Sequence, residues 1–184
     1  NNFKNFRFKL ENFEKFEKKI IYIQIEDMPD GNNPWARENF QRNCIVRGLN
    51  RAKSDDLIII SDLDEIPNPE KISMFEPNKK YAVFKQNHYY YKINFQSQNN
   101  PFWFGSRICV KKFLKSPQWL RNLKFKKRPF WRIDKYRLNS IIENGGWHFC
   151  NLKKPESLLY KYKNLCETND PIHFNEKIDE KYLN

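Results

Sequence analysis

Leu57-Ile58-Ile59-Ile60-Ser61-Asp62-Leu63-Asp64-Glu65 is the stretch with the most chemical content in this sequence. Its apolar run reads as a strand buried on both faces, and ligands of open α/β sheets bind beyond the carboxyl ends of such strands. Asp62 and Asp64, two apart on an extended backbone, would project to one side. Like charges held that close need a compensating cation or hydrogen-bond donors. A hard divalent ion, Mn2+ or Mg2+, is the simplest compensation, because it bridges carboxylates to a diphosphate. The same acids also suit a solvated loop in which one of them caps the next helix.

The surrounding sequence supplies elements to hold these acids. Residues 3–18 suit a short amphipathic helix or an extended lead-in, and Lys19–Ile25 (KIIYIQI) reads as a strand. Asn33-Pro34 starts a helix running to about Arg51, since Asn caps free amides and Pro suits the first helical position. Asn68-Pro69 repeats that start for a helix to about Phe75, and Ser116-Pro117 and Pro155-Glu156 open two more. Strands are expected at Asp56–Ser61, Lys80–Lys85, Tyr89–Phe95 and Gly105–Phe113, and the tail from Phe174 is expected to be helical. The alternation of strand and helix in the first half predicts an α/β layer structure, and without repeats or low-complexity linkers 1–184 is expected to be a single domain.

Composition removes other classes. Aromatic residues make up 16% of the 184, enough to exclude a disordered tail. No apolar run approaches the roughly 18 residues of a membrane helix. The chain opens on Asn1 rather than Met, so a targeting segment can lie upstream. Cys44, Cys109, Cys150 and Cys166 lack CxxC spacing, which favours reduced core thiols over a zinc knuckle, with one disulfide the second option. The net charge of +12 attracts polyanions, but the basic residues are scattered. A nucleic-acid-binding module would leave the acids unexplained, since they repel a polyanion; no nucleic-acid partner is expected.

The segments WARENFQRN (Trp35–Asn43), SDLDEIPNP (Ser61–Pro69) and GGWHF (Gly145–Phe149) resemble glycosyltransferase family 17 in order and spacing, over roughly Phe13 to Phe174. That family includes the β-1,4-mannosyl-glycoprotein 4-β-N-acetylglucosaminyltransferases. The resemblance implies a GT-A-like α/β domain with a mixed, mainly parallel sheet flanked by helices. It also implies a UDP-sugar donor (UDP-GlcNAc), a divalent metal, a glycan or glycoprotein acceptor, and inversion at the anomeric carbon. Relatives usually carry another strand before the position of Asn1, so the domain is expected to lack an N-terminal strand segment. Animal members are anchored in the Golgi membrane, whereas a bacterial or viral member would be cytoplasmic. After GGWHF the usual small residues are replaced by Cys150-Asn151-Leu152-Lys153-Lys154, which points to a different acceptor.

Joined to that resemblance, the chemistry assigns roles. Asp64 is the expected direct metal ligand, and Asp62 serves the ribose or a metal-bound water. His148, after two glycines, completes the metal shell or donates to the diphosphate. Glu143, with Glu65 second, is the expected general base for the attacking hydroxyl. Arg37 and Asn39, near a helix N-terminus, and Arg107, with its fork of donors, are expected on the donor. Trp103, Tyr90 and Trp147 offer aromatic surface to the acceptor sugar. A haloacid-dehalogenase-like phosphohydrolase also places DxD after an apolar strand, but it prefers Thr or Val where Ile66 stands.

Overall fold

The computed structural model describes residues 8–31, 33–124, 140–163 and 165. Cys166, the helix expected from Phe174 and most of the basic run Lys124–Arg128 lie outside these residues. A mixed six-stranded sheet forms the frame: β1 (Leu57–Ile60), β2 (Glu65–Pro67), β3 (Tyr81–Tyr90), β4 (Phe102–Val110), β5 (Ser140–Ile142) and β6 (Gly146–Cys150). The helices are α1 (Pro34–Asn43), α2 (Pro117–Asn122) and α3 (Pro155–Tyr162); a ten-residue 3-10 segment, Leu10–Lys19, precedes them, and short 3-10 turns lie between later elements.

The strand order β1-β4-β3-β6-β2, with β5 also on β3, is mostly antiparallel. Only the β3–β5 and β3–β6 ladders are parallel, whereas β1–β4, β3–β4 and β2–β6 run antiparallel. The expectation of a mainly parallel sheet is therefore corrected. β3 returns directly as β4 through residues 91–101, with no crossover helix, and such a connection produces antiparallel neighbours. Even so, the α/β character expected from the alternation of elements is present.

β3 is the spine, and its alternation divides the core. Tyr81 and Val83 face Ile58, Ile60, Cys109 and Leu120 of α2. Ala82 and Phe84 face Phe75, Ile108, Val110 and Ile142. Burying each large side chain of this set stabilises the fold by about 1.5–3 kcal/mol. β1 lies at the sheet edge, so its burial alternates: Leu57 is 42% exposed, while Ile58 and Ile60 are buried. The two-sided burial expected for Asp56–Ser61 is met in part: Ile58 and Ile60 sit in one core cluster and Ile59 packs against the other, while Leu57 stays exposed at the strand's start.

Three capping expectations hold. Asn33 Oδ1 accepts from the Trp35 and Ala36 amides, at 3.0 and 3.2 Å, with Pro34 at the first position of α1. Asn68 Oδ1 accepts from Glu70 N at 3.0 Å and Ser116 Oγ from Trp119 N at 3.2 Å. The element lengths differ from expectation, however. α1 passes into a 3-10 turn at Cys44, and the Asn68 segment is 3-10 throughout. Lys19–Ile25 has no ladder partner among the described residues; Ile21, Ile23 and Ile25 instead line a cavity beside β1. The strands expected at Lys80–Lys85 and Tyr89–Phe95 are one continuous β3, which ends where Tyr91 takes a left-handed φ of 62°.

Candidate active site

Immediately after β1 the chain turns instead of continuing extended. The Glu65 amide donates to the Asp62 carbonyl at 3.0 Å, closing a β-turn over Asp62–Glu65. The Glu65 side chain reinforces it by accepting from Asp62 N at 3.2 Å. This overturns the expectation that Asp62 and Asp64 project together from an extended strand: the turn sends them to different partners. Asp62 meets arginines, with Arg121 Nη2 donating to its Oδ2 at 2.8 Å and Arg42 Nε to its Oδ1 at 3.3 Å. Arg42 is itself held by Glu38 at 2.9 Å and by Gln118. Asp64 faces His148, whose Nε2 stands 3.6 Å from Oδ1. Hydrogen bonding from that imidazole holds the Asp64 carboxyl below its ordinary range, against burial, which would raise it.

The compensation that two neighbouring acids require is thus supplied largely by Arg42, Arg121 and His148. Asp64 has no arginine bonded to it among the described residues and keeps its side chain 40% exposed. Its oxygens are hard donors of the type that Mn2+ or Mg2+ takes.

Glu65 is bound differently from an accessible acid. Its side chain is 1% exposed and pairs with both terminal nitrogens of Arg121, at 2.8 and 2.9 Å. It also accepts from the Trp103 indole N–H at 2.8 Å and from Ser106 Oγ at 3.1 Å. A general base must reach a hydroxyl proton, and this carboxylate is fully engaged. Glu65 positions the turn and does not fit the catalytic role expected for it. Gly105 makes room for this contact, since a methyl group there would overlap the Glu65 carboxylate and the Trp103 indole.

Ladder register assembles one face above the turn. Glu65 pairs with His148, His148 with His88, and Gln86 with Trp103, and directly paired residues share a face. The rings of His88 and His148 stack at 4.7 Å, and Trp103 lies 4.8 Å from His148. Tyr90 joins them, 4.4 Å from His88, and burial pushes its phenol above its usual pKa. Thus Asp64, His148, Trp103 and Tyr90 are brought together from four separate parts of the chain.

Other expected residues are elsewhere. Glu143 pairs with Lys85 at 2.9 Å, and Lys85 leaves β3 on the face opposite Gln86 and His88, so Glu143 does not share a face with the cluster. Trp147 alternates with His148 and faces away for the same reason. Arg37 is exposed and donates to the Pro29 carbonyl at 3.3 Å, and Asn39 is half-buried on α1. Arg107 donates to the carbonyls of Gly105 and Leu123, with Nε buried and unpartnered. Burial, aided by the nearby Arg121, pulls its pKa down to about 10, so it remains charged at neutral pH.

Arg42, Arg121 and His88 escaped sequence reasoning. Arg121 acts on acids 56 and 59 residues away, so no local pattern exposes it. His88 lay in sight within His88-Tyr89-Tyr90-Tyr91, but its partner is set by β3–β6 register.

Beside the turn a cavity of about 550 Å3 opens, within the size range of small-ligand sites. Ile21, Ile23, Ile25 and Leu49 form apolar walls, while Asp62, Arg42 and Glu38 supply polar groups. Among the described residues, no helix is long and apolar enough to cross a membrane. No curated protein and no solved structure matches the chain. The profile of glycosyltransferase family 17 matches residues 2–181, nearly the whole sequence. On that match the chain belongs to glycosyltransferase family 17, and its chemistry is the transfer of a glycosyl group.

Proposed function

We propose that this chain moves GlcNAc from UDP-GlcNAc to a hydroxyl of a glycan or glycoprotein acceptor, with inversion at the anomeric carbon. The observation that carries the reading is the cavity ending at the acidic turn, with Asp62 in its wall and Asp64 two residues further along. The isoleucine-lined side accepts the flat base, and Asp62, fixed by Arg42 and Arg121, presents its exposed edge to the ribose. Asp64 holds the divalent ion, with His148 fixing the carboxylate from behind. When bound, Mn2+ or Mg2+ neutralises the charge that develops on the leaving diphosphate.

The protein's own groups then orient the reactants. The arginines keep the turn closed at neutral pH, so Asp64 needs no rearrangement to receive its ligand. Trp103 and Tyr90, on the His148 face, offer ring surface to the acceptor sugar, and Trp103 is fixed by its bond to Glu65. Inversion follows from a single displacement, in which the acceptor oxygen attacks from the side opposite the departing UDP.

A screen of UDP release tests this reading, using several UDP-sugars with and without Mn2+ and a panel of glycan acceptors. The expected result is acceptor-stimulated release from UDP-GlcNAc that requires the metal. Release from another UDP-sugar alone would reassign the donor. Equal release with and without metal would remove the role given to Asp64.

A further inference from the structure

We infer that His88, His148 and Cys150 form a binding site for a single zinc-class ion, separate from the hard ion assigned to Asp64. A nitrogen of each ring and the Cys150 Sγ lie within 4.8 Å of one another. Register produces the cluster: His88 pairs with His148 and Tyr90 with Cys150, so the three donors share a face of the parallel β3–β6 ladder.

The hydrogen-bond pattern favours ligation. His88 Nδ1 lies 3.2 Å from the Asn100 carbonyl, which can only accept, so the ring carries its proton on Nδ1. Its lone pair is then on Nε2, and that atom is buried with no hydrogen-bond partner. In His148, Nε2 faces the Asp64 carboxylate, which favours the proton there and leaves the lone pair on Nδ1. Nδ1 is likewise buried with no hydrogen-bond partner. The two rings are 2% and 6% exposed. A buried nitrogen lone pair without a partner is costly, and an ion that both lone pairs bind would remove that cost.

The neighbours complete the pattern of a metal centre. A carbonyl behind one histidine and a carboxylate behind the other are the outer partners that fix ligand tautomers. Two imidazoles and a thiolate suit zinc rather than Mn2+ or Mg2+, which prefer oxygen. Tetrahedral zinc places such donors about 3.3–3.6 Å apart, so ligation draws the three donors inward and turns the stacked rings until their lone pairs meet one ion. On binding, the Cys150 thiol gives up its proton to solvent and the sulfur bonds the ion, while both histidines stay neutral. The fourth position is left to water or an added ligand. The ion would tie β3 to β6 and fix His148 behind Asp64. This site stands on its own geometry and does not depend on the identity of the sugar donor.

Cobalt titration of the chelator-stripped full chain tests the proposal. The expected result is one Co2+ per chain with a thiolate-to-cobalt charge-transfer band, displaced by one equivalent of Zn2+. Cys150→Ser should lose the band, and His88→Phe should weaken zinc binding at least tenfold, with circular dichroism showing both variants folded. An ion at Asp64 cannot produce a thiolate band, so the readout separates the two sites. A folded wild-type protein without the band overturns the proposal, as does a band that survives in Cys150→Ser.

Discussion

Removing Arg121 tests whether the acidic turn is held by charge. In Arg121→Met the Glu65 carboxylate, 1% exposed, loses both bonds from the guanidinium and keeps the neutral donors of Trp103, Ser106 and the Asp62 amide. Breaking one partner of a buried pair costs about 3–5 kcal/mol, because the remaining charge is desolvated without compensation. That is a large share of a typical domain stability of about 5–15 kcal/mol. With a urea slope of about 2 kcal/mol/M, the unfolding midpoint should fall by about 1.5–2.5 M. Removing both charges, in Glu65→Gln with Arg121→Met, leaves neither partner of the pair charged and should recover most of that loss. The assay is equilibrium urea unfolding followed by tryptophan fluorescence, closed as a double-mutant cycle. A coupling of about 2–3 kcal/mol is expected. A single variant within about 1 kcal/mol of wild type, or a double variant no better than the single, would refute the reasoning.

Two further outcomes follow from packing and burial. Gly105→Ala places a methyl group against the Glu65 carboxylate and the Trp103 indole, so it should cost about 1–3 kcal/mol and lower the melting temperature; an unchanged melting temperature would contradict the contact. Burial pushes the Cys109 thiol up to about 12, so at pH 8 it is protonated and should resist iodoacetamide in the native protein while reacting in urea. Peptide mapping that finds Cys109 labelled without denaturant would contradict its burial.

Local signals in the sequence are legible where the physics is local. Asn33, Asn68 and Ser116 cap the segments expected of them, since a cap needs only its next few amides. The strand at Leu57–Ile60 is likewise where its apolar run places it. Sheet direction was not legible, because an unbroken apolar run suits a parallel strand as well as an antiparallel one, and β1 is an edge strand that pairs antiparallel with β4. Lys19–Ile25 carries strand residues but forms no ladder among the described residues, since pairing depends on a neighbouring edge as well as propensity. At the site, the gathering of acids directly after β1 could be read from residue types alone. Its internal roles could not: Arg121 claims Glu65, and Lys85 claims Glu143, from positions that only the fold brings near. GGWHF proved to be a strand, β6, and its alternation separates His148 from Trp147.

The most direct test of the account is calorimetric titration of UDP into the full chain, with and without Mn2+, for wild type and Asp64→Ala. The account predicts that Mn2+ tightens UDP binding at least tenfold in the wild type and has no effect in the variant. Equal affinity with and without Mn2+ in the wild type, or a metal effect that persists in Asp64→Ala, would contradict it.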